Sequence, residues 1–162
     1  MPIVLSGDGT ITGLTTTGIS SVQKLPTGSV LQVVNATNTT QTSNSTSTLA
    51  DTSLTATITP TSASSKILVL LSQAYRKGFS DTSLILTLFR NATSIGQIYN
   101  RPGNTGTTID QNGAVSYTYL DSPATTSSTT YKTKFGSQNN AASVTINFDG
   151  DYSSITLMEI SA

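Results

Sequence analysis

Two nearly continuous apolar runs constrain this chain more than any other feature. KILVLLSQAY (66–75) and SLILTLFR (83–90) carry more apolar residues than one wall of a sandwich interior takes up. Both have the length of strands, and no segment of the chain sustains a 3.6-residue apolar period. A strand that is apolar on both faces belongs inside a sheet, with something covering each side. Only part of that cover can come from the chain's own second sheet, so the remainder points to another subunit. A threefold ring closes such contacts if the chain termini lead away together.

The segments around these two runs read as further strands separated by turn chemistry. SVLQVV (29–34) comes first, then SLTATIT (53–59), in which Leu54, Ala56 and Ile58 alternate with Thr. SIGQIY (94–99), AVSYTYL (114–120), TTYKTKF (129–135), SVTINF (143–148) and SSITLMEI (153–160) follow. RNATS (90–94) is a tight turn, and DGDY (149–152) is expected to turn the chain between the last two strands, since Asp-Gly is a hairpin signal. Eight or nine short strands at this spacing describe an all-β sandwich or barrel.

The composition agrees. Ser and Thr make up roughly a third of the residues and only 10% are charged, against about a quarter in an average chain. Eight basic and eight acidic residues are scattered singly and cancel. No basic patch exists to hold nucleic acid or an anionic membrane surface. The longest apolar run, ILVLL (67–71), is too short to cross a bilayer, so no membrane insertion is expected. The first residues lack the basic region and apolar stretch of a signal peptide.

Cys and His are absent, which removes thiol chemistry, disulfides, Cys/His zinc sites and imidazole catalysis together. The remaining candidates for chemistry fail on spacing. GDGTITG (7–13) has its glycines in G-x-G-x-x-x-G order, with a minimal strand before it and a poor helix former after it, unlike a phosphate loop. Counting a calcium loop from Asp149 puts Ser154 where Gly is needed and Ile160 where Glu is needed. Asp149 and Asp151 share one turn, whereas a glycosidase takes its carboxylates from separate walls of a groove. Ser65 and Lys66 are adjacent on a strand and point to opposite faces. No enzyme activity, cofactor or metal is expected. The sequons at Asn35, Asn38, Asn44 and Asn91 would be glycan sites on surface loops of a secreted eukaryotic protein, but chance matches are expected in a chain this rich in Asn and Thr, and a bacterial host would leave them bare.

Residues 1–27 are poor in apolar residues and end in Leu25-Pro26-Thr27-Gly28, a turn that marks a boundary. They read as an extended arm before a domain spanning 28–162. Ile3, Leu5, Ile11 and Leu14 are too widely spaced to form a core. With Gly7, Gly9 and Gly13, which let the backbone approach closely, they are the candidate docking residues. Recognition candidates on the domain are Tyr75, Arg76, Phe79, Tyr99 and Arg101, in the turn 75–81 and at the loop 100–112, because Tyr and Arg are common contact anchors. For Tyr75 and Tyr99 the alternative is that they cap strand ends in the core.

The strand order, and SLILTLFRNATSIGQ in particular, resembles the complement C1q/tumour-necrosis-factor-type jelly roll, in which an apolar strand ending in a basic residue and Asn turns back into a shorter strand. The runs GSVLQVVN and SLTATITPTSASSKILVLLSQ, and the GDGTITGLTTTGIS arm, are similar to segments of virion structural and tail-fibre proteins of tailed bacteriophages, those of cyanobacteria and marine bacteria above all. The resemblance implies a jelly roll that forms a homotrimer, made in the bacterial host cytoplasm and carried on the virion. It implies a short fibre or decoration appendage whose arm docks on other virion proteins, with a host-surface glycan as a further candidate partner. The alternatives are a capsid cement protein with no receptor role and a soluble C1q-like carbohydrate-binding module.

Overall fold

The structure, a computed structural model, describes residues 4–5, 11–12, 26–78, 81–100, 109–139 and 142–162. The strands are β1 (Val4–Leu5), β2 (Ile11–Thr12), β3 (Val30–Asn38), β4 (Thr42–Asn44), β5 (Ala50–Ile58), β6 (Lys66–Lys77), β7 (Leu84–Arg90), β8 (Thr93–Asn100), β9 (Gln111–Asp121), β10 (Thr129–Ser137), β11 (Val144–Ile146) and β12 (Ser153–Ile160). All their pairings are antiparallel.

Twelve-residue β6 organises the first sheet. One edge pairs with β9 along its whole length, from Ile67 opposite Asp121 to Lys77 opposite Gln111. The other edge takes β12 against residues 66–72 and β11 against 75–77. β11 and β12 are therefore two halves of one column, and β4 and β3 form a second broken column beside it. The second sheet runs β5-β10-β7-β8. With each broken pair counted once, the columns follow the order 1-8-3-6 in one sheet and 2-7-4-5 in the other. That is the jelly-roll order of a double-sheet sandwich.

This arrangement corrects the reading of DGDY. A long partner such as β6 lets the chain leave the column, make a turn and rejoin the same edge, so no hairpin forms between β11 and β12. Phe148–Gly150 make a single 3-10 turn, entered through Asn147 at φ 52°. Asp149 at φ 55° and Gly150 at φ 82° complete the excursion. These are the residue types that tolerate the left-handed region. The neighbouring column breaks at the same level, and the two interruptions bond across. The Asn147 amide donates to the Thr40 carbonyl at 3.2 Å, and the Asp149 N–H to Gln41 Oε1 at 3.0 Å.

The core lies between the sheets. Ile67, Val69 and Leu71 of β6 and Ile155 and Leu157 of β12 face Leu54 and Ile58 of β5, Leu84, Leu86 and Leu88 of β7, and Tyr131 and Phe135 of β10. Burying each of these aliphatic chains stabilises the fold by about 1.5–3 kcal/mol. The two apolar runs sit where two-sided strands belong, since β6 and β7 are interior to their sheets. The RNATS turn is two residues long, Asn91-Ala92, with Asn91 at φ 53°.

Pro26 to Ser29 join the domain at one end. The Ser29 N–H donates to the Pro26 carbonyl, the Gly28 N–H to Ser161 O, and the Ser161 N–H back to Ser29 O. Within the expected arm, β1 and β2 pair as Val4 with Thr12 and Leu5 with Ile11. Ile3, Gly7, Gly9, Gly13 and Leu14 lie outside the described residues.

Candidate functional site

Side chains on the outside of the first sheet alternate with the core residues, so their neighbours follow from register. Met158 stands opposite Val33 on one side and Leu68 on the other, and Leu68 stands opposite Leu120. The result is one apolar row across four strands. Val33 is 55% exposed and Leu120 51%, at the two ends of the row, while Met158 and Leu68 are half-buried between them. Ile160 and Val30, paired with each other, extend the row toward the end where residue 26 enters. The following rows turn polar: Asn35, Thr156, Leu70 and Thr118, then Thr37, Ser154, Ser72 and Ser116. The apolar rows of this sheet face thus lie toward the arm end of the domain, and the remaining large exposed apolar side chains, Ile109 and Tyr152, lie outside them.

The far end of β6, roughly 35 Å away at about 3.3 Å per residue, carries the recognition candidates. Tyr75 is 5% exposed and belongs to the core; the strand alternates it inward, so it is not presented as a surface anchor. Arg76 points outward and is fixed rather than loose. Its Nε and Nη2 donate to the two carboxylate oxygens of Asp110 at 2.8 and 2.6 Å. Its guanidinium also lies 3.8 Å from the centre of the Phe148 ring. The hydrogen bond from Arg76 holds the Asp110 carboxyl below its ordinary range and, reciprocally, raises the guanidinium. Tyr99 lies on β8 opposite Leu86, and its side chain is outside the described residues, as are Phe79 and Arg101.

Besides the buried Thr82–Ser137 hydroxyl pair, three polar clusters among the described residues tie the sandwich together. Tyr131, fully buried, donates its hydroxyl to Asp121 Oδ2 at 2.6 Å, and Arg90 Nη1 donates to both oxygens of the same carboxylate at 3.0 and 2.9 Å. Burial, and then the adjacent Asp121, push the phenol well above its ordinary pKa. Across the middle of the core, Thr52 bonds Thr133, which donates to Gln73 Oε1 at 2.9 Å. Gln73 Nε2 in turn donates to Ser153 Oγ at 2.8 Å, and Ser153 to Asn147. At the arm end, the buried Glu159 carboxylate accepts from Gln32 Nε2 at 2.6 Å and from the Thr61 hydroxyl and N–H at 2.7 and 2.8 Å. Burial alone would raise its pKa, but Gln32, the nearby Ser65 hydroxyl and Thr61 together lower it. The hydrogen bonds named here link the members of each cluster to one another, which suits a structural clamp; among the described residues the buried Ser65 hydroxyl and Gln111 Oε1 have no hydrogen-bond partner.

Asp149 and Asp151 are exposed on the same turn, and among the described residues no three His, Cys, Asp or Glu side chains converge on a point that could hold a metal. Ser65 is 2% exposed while Lys66 is exposed on the opposite face. The sequon asparagines have backbone duties. Asn38 Nδ2 donates to the Thr52 carbonyl, Asn44 Nδ2 to the Thr48 and Phe135 carbonyls, and Asn91 Oδ1 accepts from the Thr130 N–H. No described helix is long and apolar enough to cross a membrane. No protein-family model matches the chain, and no curated protein is detectably similar to it in sequence.

Proposed function

We propose that the protein is a non-enzymatic structural component of a bacteriophage virion: a homotrimeric short fibre or decoration appendage, anchored through its first residues. The observation that carries this reading is the apolar row Val33–Met158–Leu68–Leu120. Large exposed side chains gathered on a flat sheet face need a partner, and a second and third copy supply the matching surface with closed symmetry. The row lies at the end where Pro26 and Gly28 bond to Ser161. Three chains packed on this face send their arms off side by side, toward whatever anchors them. The opposite end, with Arg76 and Asp110, then projects outward.

The virion assignment rests on the resemblance of GSVLQVVN, SLTATITPTSASSKILVLLSQ and GDGTITGLTTTGIS to phage structural segments. It is supported by an all-β domain whose buried polar clusters are engaged in hydrogen bonds within the sandwich. Two measurements test it. Light scattering on the full chain should return three times the chain mass of 16.8 kDa; a stable monomer at micromolar concentration overturns the assembly. The protein should co-sediment with phage particles that lack their own copy, and failure to do so overturns the virion role.

A further inference from the structure

The outer face of the second sheet, turned outward when copies pack through the first, has a distinct irregularity. Between Lys132 opposite Thr55 and Lys134 opposite Asp51, β10 has one residue and β5 has three. Ser53 at the crest of this bulge has φ 65°. A left-handed conformation costs a Ser about 1 kcal/mol or more and is retained only where the surroundings enforce it. They do so here: Thr52 bonds Thr133 at 2.6 Å, the Leu54 N–H donates to Thr52 Oγ1 at 3.2 Å, and both flanking side chains are buried. Strained bulges of this kind re-aim side chains beside binding sites.

Beside the bulge is a hollow of about 400 Å³, lined among others by Asp51, Ser53, Thr55, Asn91, Thr130 and Lys132. That is the size of a small-ligand site. Its chemistry narrows the ligand. Asp51, its side chain 54% exposed, lies 3.1 Å from Lys132 Nζ and 3.9 Å from Lys134 Nζ. Lys132, the cation that lines the hollow, is already paired with Asp51 and so is not free to draw an anion, and a single carboxylate does not hold a divalent cation. The lining has no aromatic ring, so a planar base has nothing to stack on. What remains is a mixed set of acceptors and donors: the Asp51 carboxylate, the Lys132 ammonium, the hydroxyls, and the Asn91 amide N–H groups, whose own oxygen is held by Thr130.

A vicinal diol matches this set. Two neighbouring hydroxyls donate to the Asp51 carboxylate and accept from Lys132, in the manner of charge-assisted hydrogen bonds. We infer that this hollow is a saccharide site that seats one hexopyranose ring through such a diol. It deepens the proposed function by giving the projecting domain a glycan contact, and it relies on that reading only for the face being outward.

The test is an amide-resolved NMR titration of the full chain with methyl α-D-glucopyranoside, methyl α-D-mannopyranoside and methyl α-D-galactopyranoside at millimolar concentrations. At least one should move the signals of Ser53, Thr55, Asn91 and Thr130 together. Asp51→Asn, at an exposed position, should leave the remaining spectrum intact and weaken binding about tenfold, the loss of one charged hydrogen bond. No response to any of the three, a response elsewhere on the surface, or undiminished binding by Asp51→Asn overturns the inference. A trimer of the expected mass that binds none of them overturns this inference alone. A monomer that binds one of them overturns the assembly and leaves the site standing.

Discussion

Met158 of β12 and Leu68 of β6 stand opposite each other on the outer face of the first sheet, although the inward neighbours of both, Leu157 and Ile67, are already fully buried. The sandwich therefore satisfies its core without them. Their apolar surface is surplus to the folded chain, and its position at the arm end gives that surplus a direction.

Leu68 and Leu86 should separate assembly from folding. Leu68→Glu places a charge on the half-buried outer row and should yield a folded monomer, with its melting temperature little changed apart from the loss of the trimer. Leu86 is fully buried in β7, and Leu86→Asp buries an unpaired carboxylate at a cost of several kcal/mol, enough to leave little soluble protein. Light scattering and thermal unfolding of the two variants decide the point. A Leu68→Glu protein that remains trimeric places the contact elsewhere.

The Tyr131–Asp121 bond should be worth measuring on its own. Tyr131→Phe removes one donor and leaves Asp121 with Arg90, a loss of about 1–2 kcal/mol. Asp121→Ala strands both the buried phenol and the guanidinium, and should cost about 3 kcal/mol or more. Urea denaturation gives both values. Equal losses for the two variants would mean that Arg90 contributes nothing to holding this carboxylate.

Much of this fold is written in the sequence, because strand alternation and apolar runs are local. β5, β6, β7 and β10 all lie where Leu54-Ala56-Ile58, ILVLL, LILTLF and TTYKTKF place them. DGDY reads as a hairpin in the sequence because its outcome depends on a partner far away in the chain: β6 is long enough to hold both β11 and β12 on one edge. β4, with the sequence TSN, has no apolar residue to announce it. The inward positions of Thr52, Gln73, Thr133 and Ser153 are likewise invisible in a chain so rich in hydroxyls, since only their mutual bonding makes burial tolerable. The outer row was half legible. The two-sided character of 66–75 pointed to a covered second face, but joining Leu68 to Val33, Met158 and Leu120 requires the register.

Glu159 should govern part of the acid response. Its folded pKa lies below the ordinary value of 4.5, so the folded state binds fewer protons than the unfolded chain as the pH falls through this range. The stability it contributes is complete above the unfolded value and disappears as the pH drops through the lowered one. Glu159→Gln should lose about 1–3 kcal/mol at neutral pH and show a shallower decline in acid than the parent protein. Chemical denaturation of both proteins from neutral pH downward measures the difference. Parallel curves would show that Gln32 and Thr61 do not favour the charged form.

The arm should be separable from the domain, and the structure says where to cut. Pro26 and Gly28 bond to Ser161 and Ser29, so a cut that spares these bonds falls just before Pro26, inside the expected arm 1–27. Deleting residues 1–25 should leave the melting temperature and the trimer unchanged, since no described core residue precedes Val34. Deleting residues 1–29 should lower the melting temperature, because Ser161 loses its partners. The shorter deletion should nevertheless abolish incorporation into phage particles. Within the full chain, replacing Gly9 and Gly13 by Val should weaken docking and leave folding intact, as Val restricts φ and adds bulk where close approach is required. Thermal unfolding together with co-sedimentation decides between the possible outcomes. If the 1–25 deletion unfolds the domain, the segment is an integral part of the sandwich. If the deleted protein still binds particles at full occupancy, the grip resides in the jelly roll and GDGTITG is not the docking element.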